Sequence, residues 1–246
     1  LQETVNVIDN NIAPTLAALY GELSDVNGDC RVTVLVSHRL NELTRDLELP
    51  YMVRSLVEPE VDLWAEDQSL NPNTNEQEIV YVYAPDPLEL YNPNVSVQLD
   101  NYLSYELAGQ IAYSWQKLIS YSVHREVGKT LLFNDNPDHV AKPPAEEDWL
   151  DDGMGWLAAD LTGFGSVIYR DAWIYLDRPH LEGLRKNNTL EDFEDRGAQY
   201  LFARYLVDVY GPGVVWDILH ATVDDGNGVP VPTQGVDSIL TATGEE

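Results

Sequence analysis

Trp149-Leu-Asp-Asp-Gly-Met-Gly-Trp-Leu-Ala-Ala-Asp-Leu-Thr-Gly-Phe-Gly165 is the stretch on which the fold turns. Trp149, Leu150, Trp156 and Leu157 recur at helical spacing, which predicts a helix from about Glu147 to Leu161. Its glycine pairs, Gly153-Met-Gly155 and Gly163-Phe-Gly165, are too short for a dinucleotide loop and follow no strand. Two acids, Asp151 and Asp152, sit side by side near its start.

Outward from this block, the C-terminal side reads as helical. A helix is predicted near Val167–Leu176, and an amphipathic one over Leu190–Tyr210 carries Ala198, Leu201, Phe202, Tyr205 and Val209. Short helices over Val214–Ala221 and Val236–Ala242 follow. On the N-terminal side, Asn134–Glu147 holds Pro137, Pro143 and Pro144 and reads as a loop. Before it, Leu103, Leu107, Ile111, Ser114 and Leu118 mark the buried stripe of a long helix, about Leu99 to Ser120.

Two strands precede that helix. Arg31–Val36 follows the acidic turn Asp25-Val-Asn-Gly-Asp29, and Glu78–Ala84 is stopped by Pro85 and Pro87. The turn is similar to the start of a calcium loop, but Cys30 stands at the loop's sixth position and Val36 at its twelfth, so a plain turn entering a strand is the preferred reading. Ile12, Leu16, Leu19 and Leu23 predict an opening helix, and Ser37 caps another that carries Leu40, Leu43 and Leu47 and ends at Pro50. Residues 64–77 read as a loop or hairpin tip. The order implies an α+β fold: one domain over 1–246, a β-containing N-terminal lobe to about residue 120, a mainly helical C-terminal lobe over 121–246, and a cleft between them.

Composition narrows function. Forty-two acids against 14 bases give a net charge of −28, a field that repels phosphate backbones and disfavours nucleic acid and anionic membranes. A solvated acidic surface explains it, and a basic partner or multivalent cations are the sharper alternative. No apolar run is long enough to span a membrane. Cys30 is the single cysteine, so no intrachain disulfide forms, and its neighbour Asp29 disfavours the thiolate. The five histidines, at 38, 124, 139, 180 and 220, include no two spaced three or four apart, and each reads as a surface or capping residue.

Three blocks together resemble the hyicolysin-like zinc metallopeptidases, a gluzincin family: Asp25–Val36, Asn75–Val82 leading into the long helix, and Trp149–Gly165, which is similar to that family's W-L-N-E-G…A-E-D-L-x-G-x-G segment. Gly197-Ala-Gln-Tyr-Leu-Phe-Ala-Arg-Tyr-Leu206 and Tyr210-Gly211 look like the family's helical tail, and the resemblance covers about residues 15–242. It implies a zincin-like fold, an extracytoplasmic location, and H-E-x-x-H on the long helix, where residues four apart present both imidazoles to one zinc. Here Tyr105 falls where the first His would be, Glu106 matches the general base, Gly109 falls where the second His would be, and Asp152 matches the third ligand, shortened from Glu. Arg196 stands where many relatives carry Tyr.

With both imidazoles gone, zinc is not expected, and the resemblance implies a pseudopeptidase: a zincin fold kept as a protein- or peptide-binding or structural module at the cell envelope or outside the cell. A cleft bounded by Tyr105, Glu106, Asp151, Asp152 and Arg196 is the candidate site. Two alternatives stay open. One is an active metallopeptidase using Glu106 as base, Asp152 as a metal ligand and a third group not identified in the sequence; as a separate reading, Glu106, Asp151 and Asp152 together offer oxygens to calcium or another hard cation. The other is a structural subunit of a surface assembly, as a segment of a longer protein, because relatives run past Thr243-Gly244 into a further helix.

Overall fold

The computed structural model describes residues 2–46, 54–63, 74–86, 88, 90–91, 105–135, 146–180, 183–184, 193–224, 226, 228 and 230–245. The fold is mixed α+β and mainly helical, with a small sheet. Three strands, β1 (Thr33–Val36), β2 (Ser55–Leu56) and β3 (Ile79–Val82), form a sheet in the order β1-β3-β2. β1 runs parallel to β3 with Thr33 opposite Ile79 and Val36 opposite Val82, and β2 runs antiparallel with Ser55 opposite Val82. Both predicted strands are present but shorter than expected. β2 was not predicted, because two residues are too few to show alternation.

Helices precede and separate the strands. α1 (Gln2–Val7) runs through a π turn (Ile8–Ile12) into α2 (Ala13–Tyr20), and Gly21, at φ +117°, ends it. The opening helix therefore starts about ten residues before Ile12 and stops before Leu23. α3 (His38–Asp46) begins where Ser37 Oγ accepts from the Arg39 N–H at 3.2 Å, so Ser37 caps it. Leu47 and Pro50, expected to close that helix, lie outside the described residues, and α4 (Pro59–Asp62) is a single turn.

The long helix, α5 (Tyr105–Asp135), continues well past the predicted end at Ser120. Ile119, Tyr121, Val123 and His124 are buried, so the core extends the helix where the apolar stripe no longer marks it. The lobe boundary expected at residue 120 thus falls inside α5, and the loop predicted from Asn134 starts no earlier than residue 136. Residues 99–104 lie outside the described residues.

α5 packs against α6 (Asp148–Leu161), and α6 against α8 (Phe193–Tyr210), which lies on α7 (Ser166–Asp177). The glycines of the quoted block serve this packing. A Cβ on Gly155 would lie 2.6 Å from the Tyr113 ring, and one on Gly153 would lie 2.7 Å from the Gln199 carbonyl oxygen. These glycines let α6 approach α5 on one side and α8 on the other. α9 (Val214–Leu219), a hairpin of β4 (Thr222–Asp224) and β5 (Pro230–Pro232), and α10 (Val236–Thr243) close the chain. No element was predicted over 222–232, because strands of three residues are too short to show alternation. The main apolar core runs from Ile8 through Ile111, Leu150 and Ala203 to Ile239, and a smaller cluster of Trp156, Ile168, Ala172 and Tyr200 joins α6, α7 and α8. Among the described residues no helix is long and apolar enough to cross a membrane.

Candidate functional site

The quoted block places Asp151 and Asp152 in the first turns of α6, facing α5. Asp152 Oδ1 accepts from the Tyr113 hydroxyl at 2.6 Å and forms an ion pair with Lys117. Lys117 Nζ also lies 3.6 Å from Asp151 Oδ2 and 5.1 Å from the Tyr113 ring centroid. Burial opposes the Lys117 charge, but Asp152, Tyr113 and Asp151 more than offset it and raise the ammonium well above its ordinary pKa. Burial dominates at Asp151 and pushes its carboxyl up, against the pull of Lys117. A lysine ammonium therefore fills the place between the two carboxylates.

Glu106 lies in the first turn of α5 and forms an ion pair with Arg54, just before β2. Burial lowers the Arg54 pKa, and Arg196 and Arg170 lower it further, while Tyr83 and Asp171 work the other way. Asp152 touches Tyr113 and Lys117, which lie seven and eleven residues beyond Glu106. At 1.5 Å per residue, those positions are about 10 and 16 Å along the helix from Glu106. Glu106 and Asp152 thus have different ionic partners, Arg54 and Lys117.

Gly109 sits between them, where α5 crosses the start of α7. A Cβ there would lie 2.7 Å from Val167 Cγ1 and 3.1 Å from the Phe164 carbonyl oxygen. The glycine is required by that contact, and a larger side chain would have to displace α7. The Tyr105 side chain lies outside the described residues. Arg196, on α8, pairs with Asp171 at 2.8 Å and lies 5.7 Å from the Trp156 ring, which stacks on Tyr113. Burial raises the Asp171 carboxyl, with Arg196 the strongest opposing charge.

Four participants, Arg54, Tyr113, Lys117 and Asp171, had not been singled out from sequence. Tyr113 and Lys117 are four apart and share a helix face, which is a weak signal. Arg54 and Asp171 reach their partners only through tertiary packing and leave no local signature.

In the acidic turn, the Cys30 N–H donates to Asp25 Oδ1 at 3.0 Å, and the Arg31 N–H donates to Asp29 Oδ1 at 2.8 Å. These carboxylates hold the turn's own backbone, in the manner of an Asx turn.

No known protein-family model matches the chain, and no curated protein matches it. The resemblance to hyicolysin-like peptidases therefore rests on the quoted residues alone.

A cavity among the described residues lies elsewhere. It holds about 710 Å³ between α1, β1 and α5, on a face of α5 roughly opposite Glu106 and Lys117. Leu107, Ile111 and Trp115 supply its floor from α5, and Val32, just before β1, lines it with Val34 and Val36 of that strand.

Proposed function

We propose that this chain is a zincin-like pseudopeptidase, a non-catalytic module that binds a protein or peptide at the cell envelope or outside the cell. The observation that carries this reading is Gly109. In the hyicolysin-like pattern its position holds an imidazole; here Val167 and the Phe164 carbonyl fill that space. The remaining donors do not fit a zinc ion. Glu106 is committed to Arg54, and Asp152 faces Lys117 about two to three turns farther along the helix. One carboxylate without imidazoles is a weak site for a transition metal.

The same facts weigh against Glu106 as a general base. A carboxylate paired with a guanidinium is a poor proton acceptor, because protonation would strand the arginine. They also weigh against an oxygen-ligated cation shared by Glu106, Asp151 and Asp152, since a lysine ammonium already sits against the aspartate pair. The extracytoplasmic location is carried by the family resemblance, and the −28 charge supports a partner other than nucleic acid.

Elemental analysis of the purified chain after equilibration with zinc, together with a peptidase assay, tests the reading. Zinc far below one per chain is expected, with no hydrolysis above background and no change on Glu106→Gln. Stoichiometric zinc, or activity abolished by Glu106→Gln, would overturn it.

A further inference from the structure

β1 is an edge strand: among the described residues it pairs with β3 alone. Its ladder fixes which peptide groups remain available. The Thr33 N–H donates to the Glu78 carbonyl at 2.8 Å, and the Ser37 N–H donates to the Val82 carbonyl at 3.0 Å. In a parallel pair, residues bonded to the neighbouring strand alternate with residues whose N–H and C=O point the other way. Val34 and Val36 are the residues whose peptide groups face outward. Leu35 and Val36 keep 45% and 38% of their surface exposed, more than is usual for apolar residues of a strand.

Beside this edge lies the 710 Å³ cavity, within the range of about 300–1,000 Å³ typical of ligand sites. Its walls are apolar: Ile8, Leu23, Val34, Leu107, Ile111 and Trp115. Its rim is acidic, with Asp9, Glu22 and Asp25 against the single base Arg31. On the α1 wall, Thr4 is only 7% exposed, and its Oγ1 has no hydrogen-bond partner. An unpaired strand edge, an apolar trough and an acidic rim together define the chemistry of an occupant.

We infer that the β1 edge and the adjoining cavity form a docking groove for an extended polypeptide in which apolar side chains alternate with lysine or arginine. The peptide adds to β1 through the outward peptide groups of Val34 and Val36. Side chains on one of its faces enter the trough, and its basic side chains meet Asp9, Glu22 and Asp25. The inference rests on the binding-module reading but is tested separately. A chain that carried zinc could still bind at β1, and a metal-free chain could leave β1 bare.

The probe is an acetylated, amidated hexapeptide of alternating lysine and valine, titrated against the intact chain and followed by Trp fluorescence and by amide NMR shifts. Saturable binding is expected, with the largest shifts at Val34, Val36 and the Trp115 indole. The glutamate–valine counterpart is expected not to bind. Val34→Pro removes an outward donor without touching a ladder bond, a position where an edge strand tolerates proline. It should weaken binding about tenfold, the effect of one or two lost hydrogen bonds. Replacing Asp9 and Glu22 by Asn and Gln should weaken binding and flatten its salt dependence. Absence of binding, equal binding of the glutamate peptide, or unchanged affinity in Val34→Pro would overturn the inference. If Val34→Pro does not fold, a lysine–valine peptide N-methylated at every second amide takes its place, and undiminished affinity of that peptide overturns the inference equally.

Discussion

At the scale of single residues, Gly109 separates two demands that usually coincide. A glycine inside a helix costs about 1 kcal/mol relative to alanine, so replacing it would ordinarily stabilise the chain. Here the added methyl would press on Val167 and the Phe164 carbonyl, and overpacking of this kind costs about 1–3 kcal/mol. Gly109→Ala should therefore lower the melting temperature despite its better helix propensity. Val167→Ala should relieve the clash, so the double variant should be more stable than the two single losses predict. A double-mutant cycle in urea checks this, and additivity would show that the contact is not tight. Gly109→His should destabilise further and bind no zinc, because the imidazole has nowhere to go. The identity of this residue was legible in the sequence; the carbonyl that forbids a larger one was not, because Phe164 lies 55 residues away.

At the scale of elements, the α5–α6 seam shows what a local pattern can and cannot reveal. The helical spacing of Trp149, Leu150, Trp156 and Leu157 was enough to place α6. It said nothing of Lys117, whose partners come from another helix. Removing that ammonium leaves two carboxylates facing each other. Lys117→Met should cost about 3 kcal/mol, the low end for a broken buried pair, because the Lys117 side chain keeps 23% of its surface in water. The pH dependence has a definite sign. Lys117 has a raised pKa in the folded chain, so its contribution is fully present below about pH 10.4, the unfolded value, and is lost as pH rises through the folded pKa. In Lys117→Met, Asp151, whose carboxyl burial already pushes up, loses its counter-charge and binds its proton still more tightly folded than unfolded. That variant should gain stability relative to the parent as pH falls, and Asp152→Asn should restore part of the loss. Melting temperatures across pH 4 to 8 decide it, and parallel curves for parent and variant would refute the pairing. Strand and helix identities were largely readable because periodicity is local. The end of α5 was not, since burial of Ile119, Tyr121, Val123 and His124 carries the helix past its apolar stripe; β2 and the β4–β5 hairpin were not, since strands of two or three residues show no alternation.

At the scale of the whole molecule, −28 charges on 246 residues make the folded state work against its own field. Ion pairs offset this only locally, as at Arg204, which bonds to both Asp160 and Asp208 across α6 and α8. Acids outnumber bases three to one, 42 against 14, so pairing cannot cancel the field. Unfolding spreads those charges apart, so screening should favour the compact state. The Debye length falls from about 30 Å at 0.01 M salt to about 8 Å at 0.15 M and about 3 Å at 1 M, which removes most of the long-range repulsion by physiological ionic strength. For a chain of this length, each kcal/mol of relief raises the melting temperature by about 2–4 °C. The melting temperature should therefore climb steeply between 0.01 and 0.15 M sodium chloride and flatten beyond. Burial-strengthening salts act differently, with a roughly linear rise that continues to molar concentration. A scan in sodium chloride beside one in sucrose separates the two, because sucrose carries no charge and should reproduce only the linear part. A flat profile in dilute salt would mean that the acids are already far enough apart to ignore one another. The same scan should weaken the lysine–valine peptide at β1 while it strengthens the fold, so stability and affinity should move in opposite directions with salt. That opposition is what a groove with an acidic rim, carried on an overcharged chain, requires.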